Sequence, residues 1–255
     1  MKIIILAAGS STRLGKEIID IPKGLLKIND KSIIEIQLDL FKKNQLSDIT
    51  IITGPNKQKF EFKNVNYIHD NEFQNHDVLG SLMASKSIMN DDVLTSYSDI
   101  VFDENVLHSM LDFKGDIGIA VDLNWEKKYV TRTQHLKSEA DNVLMENNKI
   151  LKIKKNITEY IPKQNLGEFI GLMKLSKNGA KVFVEKFNYL MKFHEGKFHD
   201  APSIKKAYLT DMLQELIDSG ILVEPIIING KWYEIDTPQD LQIARKNIKD
   251  LQIDL

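Results

Sequence analysis

The sequence predicts an α/β protein with a mixed, mainly parallel sheet, and three observations carry that prediction. Ile3 to Leu6 is a continuous apolar run, the pattern of a parallel strand buried on both faces rather than of a half-exposed one. Strand-like and helix-like segments then alternate as far as Val121, an order that implies parallel strands joined by right-handed crossovers. The rhythm breaks once, from Asn124 to Pro162, where a polar, lysine-rich stretch carries only short β signals and reads as a small β insert.

The elements follow in order. Ser32-Ile33-Ile34-Glu35 is a capping box, after which Ile34, Leu38 and Phe41 recur at helical spacing. Ile49 to Thr53 is the next strand, stopped by Gly54-Pro55, and Asn66 to His69 is a short third one. Leu79, Leu82, Met83 and Met89 fit one helical face. Asp92 to Tyr97 reads as a strand, Glu104 to Phe113 as a helix with Val106, Leu107, Met110 and Leu111 inward, and Ile117 to Val121 as a strand. Within the insert, Val143 to Met145 and Ile150 to Ile153 carry the β signals, and Phe169 to Leu175 marks the return to the main sheet. Helices are expected from about Lys177 to Phe193 and from about Ala207 to Ser219, the second closed by Gly220. Leu222 to Ile228 and Trp232 to Ile235 are the last strands. Thr237-Pro238-Gln239-Asp240 is a second capping box, with proline at the first helical position, and opens the final helix. The expected whole is one three-layer, Rossmann-like domain over residues 1–255 with a β excursion around 124–165.

Composition removes several classes of function. The chain has 255 residues, 42% hydrophobic and 27% charged, with a formal net charge of -2, so nothing advertises nucleic acid or a membrane surface as a partner. With no cysteine, disulfides, thiolate catalysis and cysteine zinc sites are excluded. The opening apolar run is too short to span a membrane and its flanks do not suit a signal peptide, so the expected location is the cytoplasm. There are no repeats or low-complexity segments.

The first strand runs directly into Ala7-Ala8-Gly9-Ser10-Ser11-Thr12-Arg13, small and polar residues with one guanidinium among them. A P-loop places four residues between its glycines and follows them with Lys and Ser/Thr; here five residues separate Gly9 from Gly15, and Lys16 is followed by Glu17. A dinucleotide fingerprint fails too, because Ser11 and Leu14 stand where its second and third glycines belong, which also sets aside a nicotinamide-dependent dehydrogenase. The physical logic of a phosphate cradle survives, since small side chains after a parallel strand let backbone N–H groups approach an anion. From composition alone, an ordinary strand-to-loop turn explains the stretch as well.

The company this loop keeps is more specific. LAAGSSTRLG followed by IPKGLLKINDKSIIE resembles the opening of the nucleotidyltransferase family that makes NDP-activated sugars, CDP-choline and CDP-activated phosphonates. That signature is L-A-A-G-x-x-x-R-(L/M), then P-K-x-(L/M), then the start of a helix; Ser11 stands where glycine is common. Ser98-Asp99 at a strand end and Glu234-Ile235-Asp236 before the Thr-Pro-x-Asp-Leu helix are two further matches, so the resemblance spans residues 1 to about 249.

The resemblance implies the nucleotidyltransferase fold and a reaction in which a phosphate or phosphonate oxygen attacks the α-phosphate of an NTP and pyrophosphate leaves. Leu6, Ala7, Ala8, Gly9, Ser10, Ser11 and Thr12 would cradle the triphosphate, and Arg13 would hold the β- and γ-phosphates. Lys23 would bridge the α-phosphate and the attacking group. Asp99 and Asp236, with Glu234 beside them, would hold the cofactor Mg2+ and are therefore expected to lie close together although far apart in the sequence. Asp77, Gly80 and Ser81 fall where the family builds its base pocket; an ordinary helix N-terminus is the other reading of that stretch.

The segment from Val121 to Val143, with EFIGLMKLS and KWYEIDTPQDL, resembles cytidylyltransferases of phosphonate and phosphocholine metabolism more than sugar-1-phosphate enzymes. This implies CTP and a small phosphonate or phosphate-ester acceptor as partners, with acceptor-binding residues among Trp125, Tyr129, Arg132, Glu168 and Gly171. Trp125 and Tyr129 are spaced to face a quaternary amine or to pack the insert, and Arg132 and Lys128 are candidates to hold the acceptor's anionic group. The alternatives are a sugar-1-phosphate nucleotidyltransferase using UTP or dTTP, and a non-catalytic nucleotide-binding homologue. Neither nucleic acid nor membrane is expected as a partner; a homodimer is the assembly allowed for.

Overall fold

In the computed structural model, which describes residues 1–9 and 21–251, the apolar opening run lies in strand β1 (Lys2–Ala7), flanked on both sides by other strands. Its residues alternate between two cores, as the period of a strand requires. Ile4 and Leu6 join Leu79, Leu82, Phe183, Phe187 and Met212 on one face, whereas Ile3, Ile5 and Ala7 join Ile34, Phe41, Val106, Leu107 and Met110 on the other. Ile3, Ile4 and Ile5 are all fully buried, each contributing about 2 kcal/mol of hydrophobic transfer energy. A strand sandwiched this way gives three layers, helix–sheet–helix.

After β1 come the small hairpin of β2 (Lys27–Ile28) and β3 (Lys31–Ser32), then α1 (Ile33–Lys43), β4 (Ile49–Thr53) and β5 (Asn66–His69). The short α2 (Val78–Met83) leads to β6 (Val93–Tyr97), β7 (Ile100–Phe102), α3 (Glu104–Asp112) and β8 (Ile117–Asp122). The chain continues through α4 (Glu126–Tyr129), β9 (Asp141–Glu146), β10 (Lys149–Lys155) and β11 (Asn165–Leu175). It ends with α5 (Lys177–Phe193), α6 (Leu209–Asp218), β12 (Glu224–Ile227), β13 (Trp232–Glu234) and α7 (Pro238–Asn247). No described helix is long and apolar enough to cross a membrane.

The sheet is mixed. Strands β6, β1, β4 and β5 run parallel in that order, and β12 runs parallel to β8. The link between the two groups is β11, antiparallel to β8, β6 and β9. The expected excursion does leave the βα rhythm, but β9 and β10 do not stand apart from the main sheet: they extend it. The reason lies in β11, which begins at Asn165 rather than at Phe169. One edge of it pairs with β9 through Asn165–Glu168 and with β6 through Leu172–Leu175. Between those pairings the register shifts, and Gly171 takes φ 85°, where a Cβ would lie 2.5 Å from the Tyr97 ring. Two strands diverging from one edge leave a notch between them.

Both capping boxes form. Ser32 Oγ accepts from Glu35 N at 3.3 Å while Glu35 Oε2 accepts from Ser32 N at 2.7 Å. Thr237 Oγ1 accepts from Asp240 N at 3.2 Å and Asp240 Oδ2 accepts from Thr237 N at 2.9 Å, with Pro238 in the first turn. Helix α6 starts two residues later than the sequence suggests, because Tyr208 N donates to Asp211 Oδ2 at 2.8 Å and sets the boundary there.

Candidate active site

The parallel strands flanking β1 lie on opposite sides of it, so the carboxyl end of β1 is the switch point at which open α/β sheets collect ligands. A cleft of about 360 Å³ opens there. Its floor is the end of β1, Leu6 to Gly9, and the end of β6, Tyr97 to Asp99. Phe169, Ile170 and Gly171, in the register shift of β11, carry it into the notch beside β9.

The turn holding Asp99 is fixed from beneath. Gln37 on α1, almost fully buried, donates through Nε2 to the carbonyls of Tyr97 (2.9 Å) and Ile100 (2.7 Å), and Ser98 N donates to Leu6 O at 3.1 Å. Asp236 arrives from the other end of the chain because β13 pairs antiparallel with β7, and Ile235 N donates to Asp99 O at 2.8 Å. Lys23 follows the buried Pro22 on a single 3-10 turn, residues Lys23–Leu25. Gly24 lets that turn approach closely, since a Cβ there would meet Ile34 at 2.6 Å. The Lys23 ammonium bonds Asp99 Oδ2 at 3.1 Å and also Asp236 Oδ1. Two acceptors on one nitrogen lie within two hydrogen-bond lengths, about 6 Å, of each other. Burial works against the charge of Lys23, but Asp99 and Asp236 outweigh it and hold the ammonium above its ordinary range.

Glu234 joins this group on the cleft wall. Burial, with Asp236 as the next cause, pushes its carboxyl well above the usual carboxylate range. His135 was not foreseen, as a lone histidine in a polar stretch carries no metal-ligand spacing; yet it lies with Glu234 and Asp236 so that one ligand atom from each falls within 4.8 Å of the others. Its Nδ1 accepts from Arg132 at 2.9 Å, and burial followed by that guanidinium depresses the imidazole's pKa.

Other expected residues sort differently. Asp77 and Ser81 line the cleft, and Ser81 Oγ donates to the buried Asp70 at 2.8 Å. Gly80 does not line it: a Cβ there would lie 2.3 Å from His76, so the glycine makes room for that ring, which does face the cleft. Tyr129, Glu168 and Gly171 line it as well. Trp125 is a correction. It is 2% exposed, packs edge-on against Tyr129 at 5.6 Å and donates to Leu166 O at 3.1 Å, so it fills the insert's own small core rather than facing a ligand. Arg132 is another. Its guanidinium is committed to Asp240 Oδ1 (2.7 Å) and Glu234 Oε2 (3.1 Å) and does not line the cleft, so it fastens the insert to the cap of α7 instead of holding an acceptor. Lys128 is likewise engaged, with Trp232 O at 2.9 Å and over that indole, and burial lowers its pKa to about 8. Ser10, Ser11, Thr12 and Arg13 lie outside the described residues.

The carboxylates fit a hard divalent cation. Asp99 Oδ1 is buried and has no hydrogen-bond partner among the described residues. Asp99, Asp236 and Glu234 together offer an all-oxygen donor set of the kind Mg2+ prefers alongside substrate phosphates.

The model of the MobA-like NTP transferase domain matches residues 3–141. The CTP:phosphoglutamine cytidylyltransferase of Campylobacter jejuni is 26% identical over 258 residues, covering 95% of this chain and 98% of that one. The choline-phosphate cytidylyltransferase of Streptococcus pneumoniae is 42% identical over 67 residues, 26% of this chain and 29% of that one. The inositol-1-phosphate CTP transferase from T. maritima shares the fold, with a TM-score of 0.71 at 18% identity over 100% of this chain and 97% of that one. With β1, its following loop and the Asp99 turn all inside the matched segment, the chain belongs to the MobA-like NTP transferase domain family and is a nucleotidyltransferase.

Proposed function

We propose that the protein is a Mg2+-dependent cytidylyltransferase that moves CMP from CTP to a small phosphonate or phosphate-ester acceptor and releases pyrophosphate. The observation that carries this is the meeting of Lys23, Asp99 and Asp236 at the end of β1, where the cleft opens. CTP as donor is supported by the relative from Campylobacter jejuni, which this chain matches over nearly its whole length.

The acceptor oxygen attacks the α-phosphorus, and the bond from that phosphorus to the bridging oxygen of the β-phosphate breaks. No group of the protein needs to become covalently attached, so the rate comes from position and charge neutralisation. Bound between Asp99 and Asp236, with Glu234 adjacent, Mg2+ would supply neutralising charge to the triphosphate. Lys23, sharing those carboxylates with the ion, would have donors for the α-phosphate and the attacking group. Arg13, always charged, is assigned to the β- and γ-phosphates and steadies the leaving pyrophosphate. The Leu6–Gly9 strand end brings backbone close to the phosphates with little side chain in the way.

The test is a nucleotide panel: CTP, UTP, dTTP, ATP and GTP with Mg2+, each against phosphonates, phosphocholine-type esters and sugar 1-phosphates, reading pyrophosphate release. Release with CTP and a phosphonate or phosphate ester is expected. Turnover confined to UTP or dTTP with sugar 1-phosphates would overturn the reading.

A further inference from the structure

The carboxylates at the end of β1 hold a cation of the protein's own, the ammonium of Lys23. Its nitrogen meets Asp99 Oδ2 at 3.1 Å and bonds Asp236 Oδ1, and Asp99, Asp236 and Glu234 all act on its charge. The other oxygens of the group are unevenly occupied. Glu234 Oε2 accepts from Arg132 at 3.1 Å and Asp236 Oδ2 lies 3.4 Å from His135 Nδ1, but Asp99 Oδ1 is buried with no hydrogen-bond partner among the described residues. Both sides of this contact are anchored by main chain. The 3-10 turn after Pro22 delivers Lys23, and the bond from Ile235 N to Asp99 O, at 2.8 Å, keeps the two aspartates beside each other. With Lys23 between them, the two carboxylates are compensated before any metal ion arrives.

We propose that Lys23 opposes metal binding when no nucleotide is bound and that the triphosphate lifts this opposition, so that the site takes its divalent ion and its nucleotide together. This rests on the reading of Asp99 and Asp236 as metal ligands and gives Lys23 a task beyond contact with the phosphates. Any divalent ion that these two carboxylates hold shares them with the ammonium, and like charges on common ligands repel. Solvent screens that repulsion poorly, because the Lys23 side chain is only 20% exposed and that of Asp236 only 8%. Lys23 can yield, since its charge rides on a flexible stem with rotatable donors and it lines the cleft. Phosphate oxygens entering beside Leu6–Gly9 give the ammonium other acceptors, and their negative charge draws both cations at once. By linkage, the nucleotide and the ion raise each other's affinity by the same factor. The direction of the consequence is distinctive. A lysine that only contacts phosphate, or only supports the fold, leaves metal affinity unchanged or lowers it when removed; here its removal tightens metal binding.

The experiment titrates Mn2+, a hard divalent ion visible by electron paramagnetic resonance, into the full chain without nucleotide. Lys23→Met and Lys23→Gln are expected to bind it about 10-fold more tightly than the wild type, whereas Lys23→Arg, which keeps the charge, stays near the wild type. Thermal melts show which variants are folded, and the rise in melting temperature on adding Mn2+ gives a second measure of the same affinities. Adding Asp99→Asn to Lys23→Met should remove the gain, which places the ion on these carboxylates. CTP, or whichever triphosphate the nucleotide panel selects, is expected to raise the Mn2+ affinity of the wild type by a larger factor than that of Lys23→Met, once the metal's binding to free nucleotide is subtracted. Folded Lys23→Met and Lys23→Gln proteins that bind Mn2+ no better than the wild type overturn the inference. So does a Lys23→Arg protein that binds it as tightly as they do, or an equal effect of the nucleotide on wild type and Lys23→Met. Absence of Mn2+ binding in every protein overturns the metal assignment along with it. A chain that binds Mn2+ in the expected pattern but does not bind CTP overturns the cytidylyl-transfer reading and leaves the opposition between Lys23 and the ion standing.

Discussion

Lys23 keeps its proton in a place largely withdrawn from water. Burial alone would lower its pKa, and the two carboxylates it touches more than compensate, so it stays cationic across the working pH range. Lys23→Ala is expected to lower kcat/KM by two orders of magnitude or more, about 3 kcal/mol of lost transition-state stabilisation. Lys23→Arg is not expected to restore it, because a planar fork replaces a compact charge between two carboxylates. A steady-state comparison of both variants checks this; near-full turnover in Lys23→Ala would remove Lys23 from the chemistry, and near-full turnover in Lys23→Arg would show that charge alone, not the compact ammonium, is needed. Glu168 behaves in the opposite sense. Burial raises its carboxyl from 4.5 to about 7, so between those values the folded protein binds more protons than the unfolded chain. Its contribution is present at low pH and is lost as pH rises through about 7, a swing of about 3 kcal/mol. Urea unfolding at several pH values should show stability falling over that window in the unliganded protein, and Glu168→Gln should flatten the fall.

At the scale of elements, the capping boxes at Ser32 and Thr237 were legible because each is a local bargain between residues three apart. The three-residue β7 was not: Ile100–Phe102 is too short to show a period, and its partner β13 lies far along the chain. Nor was the length of β11, whose first half is strand only because β9 pairs with it. The role of Arg132 was misread for a related reason. Its residue type suits an anionic ligand and an ion pair equally, and its partners Asp240 and Glu234 are remote in sequence. The structure makes it a clamp: Asp240 caps α7 through Thr237, accepts from Asp236 N at 3.2 Å and takes the Arg132 bond on its other oxygen. Arg132→Met removes one member of a buried ion network and should cost about 3 kcal/mol of stability by urea unfolding. It should also lower kcat about 10-fold by loosening Asp236, with KM for the nucleotide nearly unchanged. A variant as stable as the wild type would show the clamp to be idle.

At the scale of the molecule, the motifs named Asp99 and Asp236 but could not show how they meet; the β7–β13 pairing does that. Gln37, His135 and Asp141, which hold or line the same cleft, had no signal at all: Gln37 and Asp141 come from elements whose own pattern is satisfied without them, and His135 from a loop with no period. The convergence carries the most demanding consequence. An anionic acceptor approaching a triphosphate is repelled unless positive charge sits at the reacting phosphate, and Lys23 sets a single positive charge against the two carboxylates it touches. On the proposed reading, a divalent ion held by both would add the missing positive charge, so Asp99 and Asp236 are expected to act as one unit. Asp99→Asn and Asp236→Asn should each reduce kcat/KM by about 100-fold and raise the Mg2+ concentration needed for half-maximal rate. Because the first substitution already dismantles the ion's site, the double variant should be little worse than the weaker of the two single ones, rather than falling by the product of their effects. Steady-state rates of the four proteins across a Mg2+ titration measure the coupling, with excess chelator as the control that should abolish turnover. Independent, multiplicative losses would mean that the two carboxylates serve different tasks, and full activity in chelator would mean that Lys23 alone supplies the charge.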